Sequence, residues 1–233
     1  MDRNTLVGQL ESLNISFTSS QIDNLFLFME DTLEANTRFN LTAIKDRDEF
    51  VEKMIFDSAI ALYDVDIDNK KIIDIGTGAG FPGMVLKILR PNADVTLLDS
   101  TKKKIDHLNE LSSKYNLKIS GISERAEVFA RKNVEKFDYA FARAVSSLNI
   151  LLELIAPILK VGGTFVALKG KNVDVEIKEA NNALKILGLE ITKINNFTLP
   201  ISKEERNIVL IKKIKPTSCK YPREYNQIKK RPL

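Results

Sequence analysis

The chain is short of cysteine, of histidine and of long apolar runs, and each shortage removes a class of function. One cysteine, Cys219, in 233 residues excludes an internal disulfide framework. The lone histidine, His107, gives no His/Cys spacing of the kind that holds a metal, and it is read as structural. No stretch reaches the roughly 18 apolar residues that a bilayer-spanning helix needs. The start, Met1-Asp2-Arg3-Asn4, lacks the basic-then-apolar pattern of a secretory signal. The expectation is a soluble, cytoplasmic protein with no metal and no membrane partner. The N-x-S/T triplets at Asn14, Asn40 and Asn196 then count as chance.

What is present is ordinary in amount and uneven in placement. Hydrophobic residues make up 44%, and 233 residues suffice for one sizeable α/β domain with an appendage. The net charge is only +4, yet residues 212–233 carry eight Lys/Arg against one acid, +7, leaving −3 on the rest. A basic tail on a slightly acidic body fits a polyanionic partner. The competing view is a solvated tail that only aids solubility. Tyr221 and Tyr225 lie among these charges, where rings can stack on bases.

Periodicity divides the chain into an N-terminal helical extension (1–65), an α/β domain (66–213) and the basic tail (214–233). Thr18-Ser-Ser-Gln21 resembles a capping box ahead of Ile22, Leu25, Phe26, Met29 and Leu33 at helical spacing. Asp46-Arg-Asp-Glu49 marks another helix start. Beyond residue 70 the pattern predicts strands near 71–75, 94–98, 118–122, 137–142, 163–168, 189–196 and 206–213. Helices are predicted near 82–89, 101–115, 124–132, 147–159 and 174–187, with Gly162-Gly163 and Gly188 as turns after helices. Such alternation gives a doubly wound, mostly parallel seven-stranded sheet. With no helix between the last two strands, an antiparallel terminal hairpin is expected at the edge.

The most informative run is Asp74-Ile-Gly76-Thr-Gly78-Ala-Gly80-Phe-Pro-Gly83, a glycine-rich turn between a predicted strand and a predicted helix. Glycines allow the backbone to turn sharply and to approach a ligand closely, and free N–H groups at a helix start favour a polar or anionic group. Gly78-Ala-Gly80-Phe-Pro-Gly83 fits a dinucleotide fingerprint, with Asp99 ending the next strand. The earlier Gly76 and the acid inside the strand, Asp74, instead resemble motif I of S-adenosylmethionine (SAM) methyltransferases. There Asp74 can meet the cationic end of SAM directly or through water, and Asp99 can accept from ribose hydroxyls. SAM is favoured, with NAD as the alternative.

Ligands of such sheets bind at the carboxyl ends of the strands, which brings Ala126, Glu127, Arg143, Lys169 and Gly170 into play. Methylation at pyrimidine C5 needs a thiolate, and the only cysteine is in the tail. Exocyclic amino methylation commonly uses an Asn/Asp-Pro-Pro-aromatic turn, where this chain has Arg143-Ala144-Val145-Ser146. A purine N7 carries a lone pair and no proton, so alignment and exclusion of water suffice. A cation donating to guanine O6 or to phosphate would orient the base, and Arg143 and Lys169 are the candidates.

Together these residues resemble the RsmG (GidB) family. The resemblance rests on Asn40-Leu-Thr-Ala-Ile44, Asp57-Ser58, the run from Asp74 to Gly83, Leu97-Leu-Asp-Ser100 with Lys102-Lys103-Lys104, Arg125-Ala-Glu127, Arg143-Ala144, Lys169-Gly170, Tyr221-Pro-Arg223 and Lys229-Lys-Arg-Pro-Leu233. The chain departs from the family's pattern in lacking a His near Phe56, and in having Glu224-Tyr225-Asn226 where Ala-Gly is usual. The resemblance implies a Rossmann-like SAM-dependent methyltransferase acting on N7 of a guanosine in 16S (small-subunit) ribosomal RNA. Carried over, Gly76, Phe81, Ala126, Glu127 and Arg143 match SAM-contacting positions, and Asp74, Gly78, Gly80 and Asp99 join them on the argument above. The cations expected to face RNA are Arg143, Lys169, Arg206, Lys220, Arg223, Lys229, Lys230 and Arg231. A monomer is expected. An NAD-linked oxidoreductase, a non-catalytic RNA-binding factor and a methyltransferase for another acceptor are the competing classes.

Overall fold

The computed structural model describes residues 1–143 and 145–233, with the side chain of Phe39 left aside; Ala144 of the Arg143-Ala144 motif lies outside the described residues. The N-terminal third is helical, with α1 (Arg3–Ser12) and α2 (Ser19–Phe39) followed by a continuous run of short turns. That run is α3 (Arg47–Phe50), a π-helical stretch (Val51–Phe56), α4 (Asp57–Ala59) and a 3₁₀ turn (Ile60–Leu62). The capping box forms as read: Gln21 N donates to Thr18 Oγ1 at 3.2 Å, and Thr18 N donates to Gln21 Oε1 at 2.7 Å. Asp46 caps α3 by accepting from Glu49 N at 2.8 Å.

Strands and helices then alternate: β1 (Lys71–Ile75), α5 (Gly83–Leu89), β2 (Asp94–Asp99), α6 (Lys102–Lys114), β3 (Ile119–Ser123), α7 (Ala126–Lys132), β4 (Phe137–Arg143), α8 (Leu148–Ile155), β5 (Leu159–Lys169) and α9 (Val173–Leu187). A hairpin of β6 (Leu189–Thr198) and β7 (Glu205–Lys213) follows, and α10 (Tyr225–Lys230) ends the chain. The strand order is β3-β2-β1-β4-β5-β7-β6. β1 to β5 pair in parallel, and β7 lies antiparallel between β5 and β6. The order reverses between β1 and β4, which opens a crevice at their carboxyl ends.

Side chains alternate across the strands, so each face of the sheet meets its own core. Ile72 joins the cluster containing Leu25, Phe28, Phe50, Leu86 and Leu108, whereas Ile73 and Ile75 join Leu151, Leu152, Ala180 and Leu184. The helices of residues 1–65 therefore share a core with one face of the sheet.

Two expectations change. The helix foreseen over 147–159 ends at Ile155, because Pro157 cannot continue the ladder. Gly162-Gly163 is not a turn after a helix: it lies inside β5, whose register against β4 shifts between Phe137 and Tyr139. There a Cβ on Gly163 would sit 2.9 Å from the carbonyl oxygens of Asp138 and Lys160.

The basic tail docks on the body. Arg223 donates through Nε and Nη2 to the two oxygens of fully buried Glu153, at 2.9 and 2.7 Å, and its backbone N adds a bond of 2.9 Å. Ile228 is buried on Ile150 and Leu154 of α8. Removing one partner of a buried ion pair leaves a charge stranded. Arg223→Ala is therefore expected to cost about 3–5 kcal/mol in denaturant unfolding, far above the sub-kilocalorie loss of an exposed pair.

Candidate functional site

The loop after β1 is built around Asp74. Its carboxylate is fully buried, and Oδ2 accepts from Thr77 Oγ1 at 2.7 Å and from Gly83 N at 2.8 Å. One side chain thus ties the start of the glycine loop to the first residue of α5. Oδ1 is buried with no partner among the described residues. The loop passes through left-handed backbone at Gly76, Gly78 and Gly80, with φ of +70°, +59° and +95°. At Gly76 the backbone and the available space both demand glycine, since a Cβ would lie 2.6 Å from the Val145 side chain. Gly78 N donates to Asp99 Oδ2 at 3.0 Å, which locks the loop to the tip of β2.

A cavity of about 270 Å³ runs along this edge. Gly76, Gly78, Asp99, Ala126, Glu127 and Arg143 line it, and all six were foreseen as cofactor residues. The other three foreseen residues sit elsewhere. Asp74 shapes the loop from beneath and does not line the cavity. Gly80 faces the core, where a Cβ would meet Leu108 and Met84 at 2.8 Å. Phe81 is buried against Phe28 and Phe50, with ring centroids at 5.1 and 5.5 Å, and the Arg143 guanidinium lies over it at 5.6 Å.

A second, larger cleft of about 970 Å³ shares Arg143 and Val145 with the first. Its walls are Ile44, Lys53, Met54 and Asp57 from the N-terminal extension, Val145–Ser147, Leu168–Gly170, Asn172, Val175, Glu176 and Arg206. Its charges are paired. Asp57 is buried between Arg143 Nη1 at 3.2 Å and Arg206 Nε at 3.1 Å. Arg143 Nη1 also donates to the Lys53 carbonyl at 2.7 Å, and Nη2 meets Met54 Sδ at 3.1 Å. Lys169, buried, donates to the Ser146 carbonyl at 2.8 Å and pairs with Glu176 at 2.7 Å.

Among the RNA-facing candidates, Arg206 and Arg223 are held in ion pairs with Asp57 and Glu153. Both are fixed in place by these pairs; Arg206 lines the larger cleft, whereas Arg223 lines neither cavity. Lys220, Lys229, Lys230 and Arg231 are exposed. The sequence reading took Tyr225 for a base-stacking ring of the tail, whereas it lines the smaller cavity, and gave no role to Asp57, whose Asp-Ser signal was visible. His107 lines neither cavity, and among the described residues no three His, Cys, Asp or Glu side chains are placed to hold a metal. Nor is any described helix long and apolar enough to cross a membrane.

Burial drives the Asp74 carboxyl up to about 6, against the pull of its bonds from Thr77 and Gly83. Stability from the protonated form is complete below the ordinary value of 3.8 and is lost as pH rises through about 6. That window is worth at most about 3 kcal/mol. Unfolding titrations should show the stability difference moving in favour of Asp74→Asn by about 1–3 kcal/mol as pH rises through it. A difference independent of pH would contradict the assignment.

The residues present fit SAM: a loop that faces the cavity only through Gly76 and Gly78, where a Cβ on Gly76 would already meet Val145, and an acid, Asp99, at the tip of β2. A doubly wound sheet of this order, with that cradle at its switch point, defines a Rossmann-like SAM-dependent methyltransferase. The fold is that of a SAM-dependent methyltransferase from Aquifex aeolicus, with TM-score 0.52 and 17% identity over 70% of this chain and 92% of that one. Residues 21–209 match the family described as GidB, rRNA small subunit methyltransferase G. Proteins named ribosomal RNA small subunit methyltransferase G are 48% identical in Caldicellulosiruptor bescii, over 90% of this chain and 91% of the relative, and 40% identical in Bacillus cereus, over 97% and 96%. The chain belongs to this family.

Proposed function

We propose that the chain methylates N7 of a guanosine in 16S (small-subunit) rRNA, by direct attack of the N7 lone pair and without a covalent enzyme intermediate. The observation that carries this reading is the meeting of the two cavities at Arg143 and Val145. A donor seated in one and a base seated in the other come together there. SAM, when bound, supplies a methyl on a sulfonium leaving group.

The cleft suits a nucleophile that needs no activation. Its carboxylates, Asp57 and Glu176, are tied to Arg143, Arg206 and Lys169. Neither Cys219 nor His107 lines it. What the residues supply is shape and a cationic field: Ile44, Met54, Leu168 and Val175 offer apolar surface to a base turned out of its stack. Arg143, over Phe81 at the junction, orients that base, and Lys169 fixes the Ser146 side of the wall. Gly76, Gly78, Asp99, Ala126 and Glu127 hold the cofactor, while Asp74, Gly80 and Phe81 hold the loop that does so. The reading is completed by a cytoplasmic, monomeric enzyme that uses no metal.

Exposed Lys220, Lys229, Lys230 and Arg231 would then meet phosphates outside the cleft. Four such contacts predict RNA affinity falling on the order of 50-fold between 50 and 200 mM salt; an affinity flat with salt would contradict them. The acceptor atom is tested with small-subunit rRNA transcribed with 7-deazaguanosine, which lacks N7. Labelled methyl should enter the ordinary transcript, assembled into particles where required, and not the deaza one. Equal labelling of both would exclude N7.

A further inference from the structure

The C-terminal segment is part of the wall of the cofactor cavity. Tyr225, the first residue of α10, lines it together with Arg125, Glu127 and Leu154, and the Arg125 guanidinium lies 4.7 Å from the centre of its ring. The ring is held there by the Arg223–Glu153 pair, by Ile228 on α8 and by Arg131, which donates to the Pro222 carbonyl at 3.2 and 3.3 Å. These contacts make Tyr225 the one aromatic side chain among the described residues that line the cavity.

The sheet says which part of the ligand Tyr225 meets. The cavity runs from Arg143 on β4, past Gly76 after β1 and Asp99 at the tip of β2, to Arg125 and Glu127 after β3. The Arg143 end opens into the larger cleft, so the transferring group belongs there. With ribose hydroxyls on Asp99, the purine lies beyond, beside β3 and Tyr225. An aromatic ring under a guanidinium offers a purine a stacking and cation–π surface.

We infer that Tyr225 is a positioning residue for the adenosine half of SAM, so that the tail serves the cofactor on its inner side while Lys229 and Lys230 face outward. This rests on the cavity being the SAM site. The test is calorimetric binding of S-adenosylhomocysteine and of 5′-methylthioadenosine, which keeps the nucleoside and lacks the amino-acid end, to wild type, Tyr225→Ala and Tyr225→Phe. Alanine should weaken both ligands by a similar factor of about 5–30. It should raise KM for SAM with kcat kept, and phenylalanine should restore both. Lys229→Ala with Lys230→Ala should lower RNA affinity and leave cofactor affinity unchanged. Wild-type failure to bind either ligand would remove the site assignment itself. Wild-type binding with unchanged affinity in Tyr225→Ala would overturn the role of Tyr225 alone, and so would weakening of S-adenosylhomocysteine without methylthioadenosine.

Discussion

Asp74→Ala should abolish SAM binding in a protein that still folds. The substitution removes the acceptor for Thr77 Oγ1 and for Gly83 N, and strands a buried donor at the start of α5. Each lost charge-assisted bond costs about 1.5–3 kcal/mol. Against this, a buried carboxylate whose pKa is raised to about 6 is itself unfavourable when ionised, and its removal returns up to about 3 kcal/mol. The terms largely offset, so net destabilisation of about 1–3 kcal/mol is expected near neutral pH. The effect on binding has no such offset. The loop from Gly76 to Gly83 loses the tether that holds its left-handed path, and SAM affinity should fall by about 100-fold or more. Calorimetric titration on a variant with native circular dichroism reads this directly. Affinity within about threefold of wild type would show that the loop keeps its shape without Asp74.

Arg143→Ala should strike turnover harder than cofactor affinity. The guanidinium sits where the two cavities meet, bonded to the Lys53 carbonyl and Asp57 and lying over Phe81. It therefore joins β4, the N-terminal extension and the glycine loop at one point. Without it the acceptor side of the junction loses its orienting cation, and kcat should fall by about 100- to 1000-fold, the scale of a misplaced reactant. SAM affinity should change by less than about tenfold, because the glycine loop and Asp99 remain. Arg143→Lys should not rescue, since a point charge reproduces neither the fork to carbonyl and carboxylate nor the flat contact with a ring. A lysine variant with wild-type kcat would reduce Arg143 to a source of positive field.

Much of this was legible because it depends on local chemistry. The glycine spacing and Asp74 announced the loop, the alternation of elements announced the sheet, and the missing helix between Thr198 and Glu205 announced the antiparallel hairpin. Their place at the carboxyl ends of strands pointed to Ala126, Glu127 and Arg143, the family likeness pointed to the same residues, and all three line the cavity. What was illegible depends on contacts far apart in the chain. Nothing near Arg223 shows that Glu153, 70 residues earlier, is its partner. Charge patterning placed Arg223 among the tail cations expected to face RNA, and packing ties it to a buried carboxylate. Tyr225 read as a base-stacking ring in a tail, and the docking of α10 placed it in the cofactor cavity. The N-terminal extension, foreseen as a helical appendage, supplies Ile44, Lys53, Met54 and Asp57 to the larger cleft.

The central claim is methyl transfer from SAM to one purine nitrogen of small-subunit rRNA. The direct measurement incubates the protein with labelled SAM and small-subunit rRNA, free or in ribosomal particles, from cells lacking the modification. The RNA is then reduced and cleaved with aniline at N7-methylguanosine, with Asp74→Ala as the control. The account predicts label and cleavage at a single guanosine with wild type and neither with the variant. Measurable SAM binding with no label on RNA or particle, or label without aniline cleavage, would contradict it.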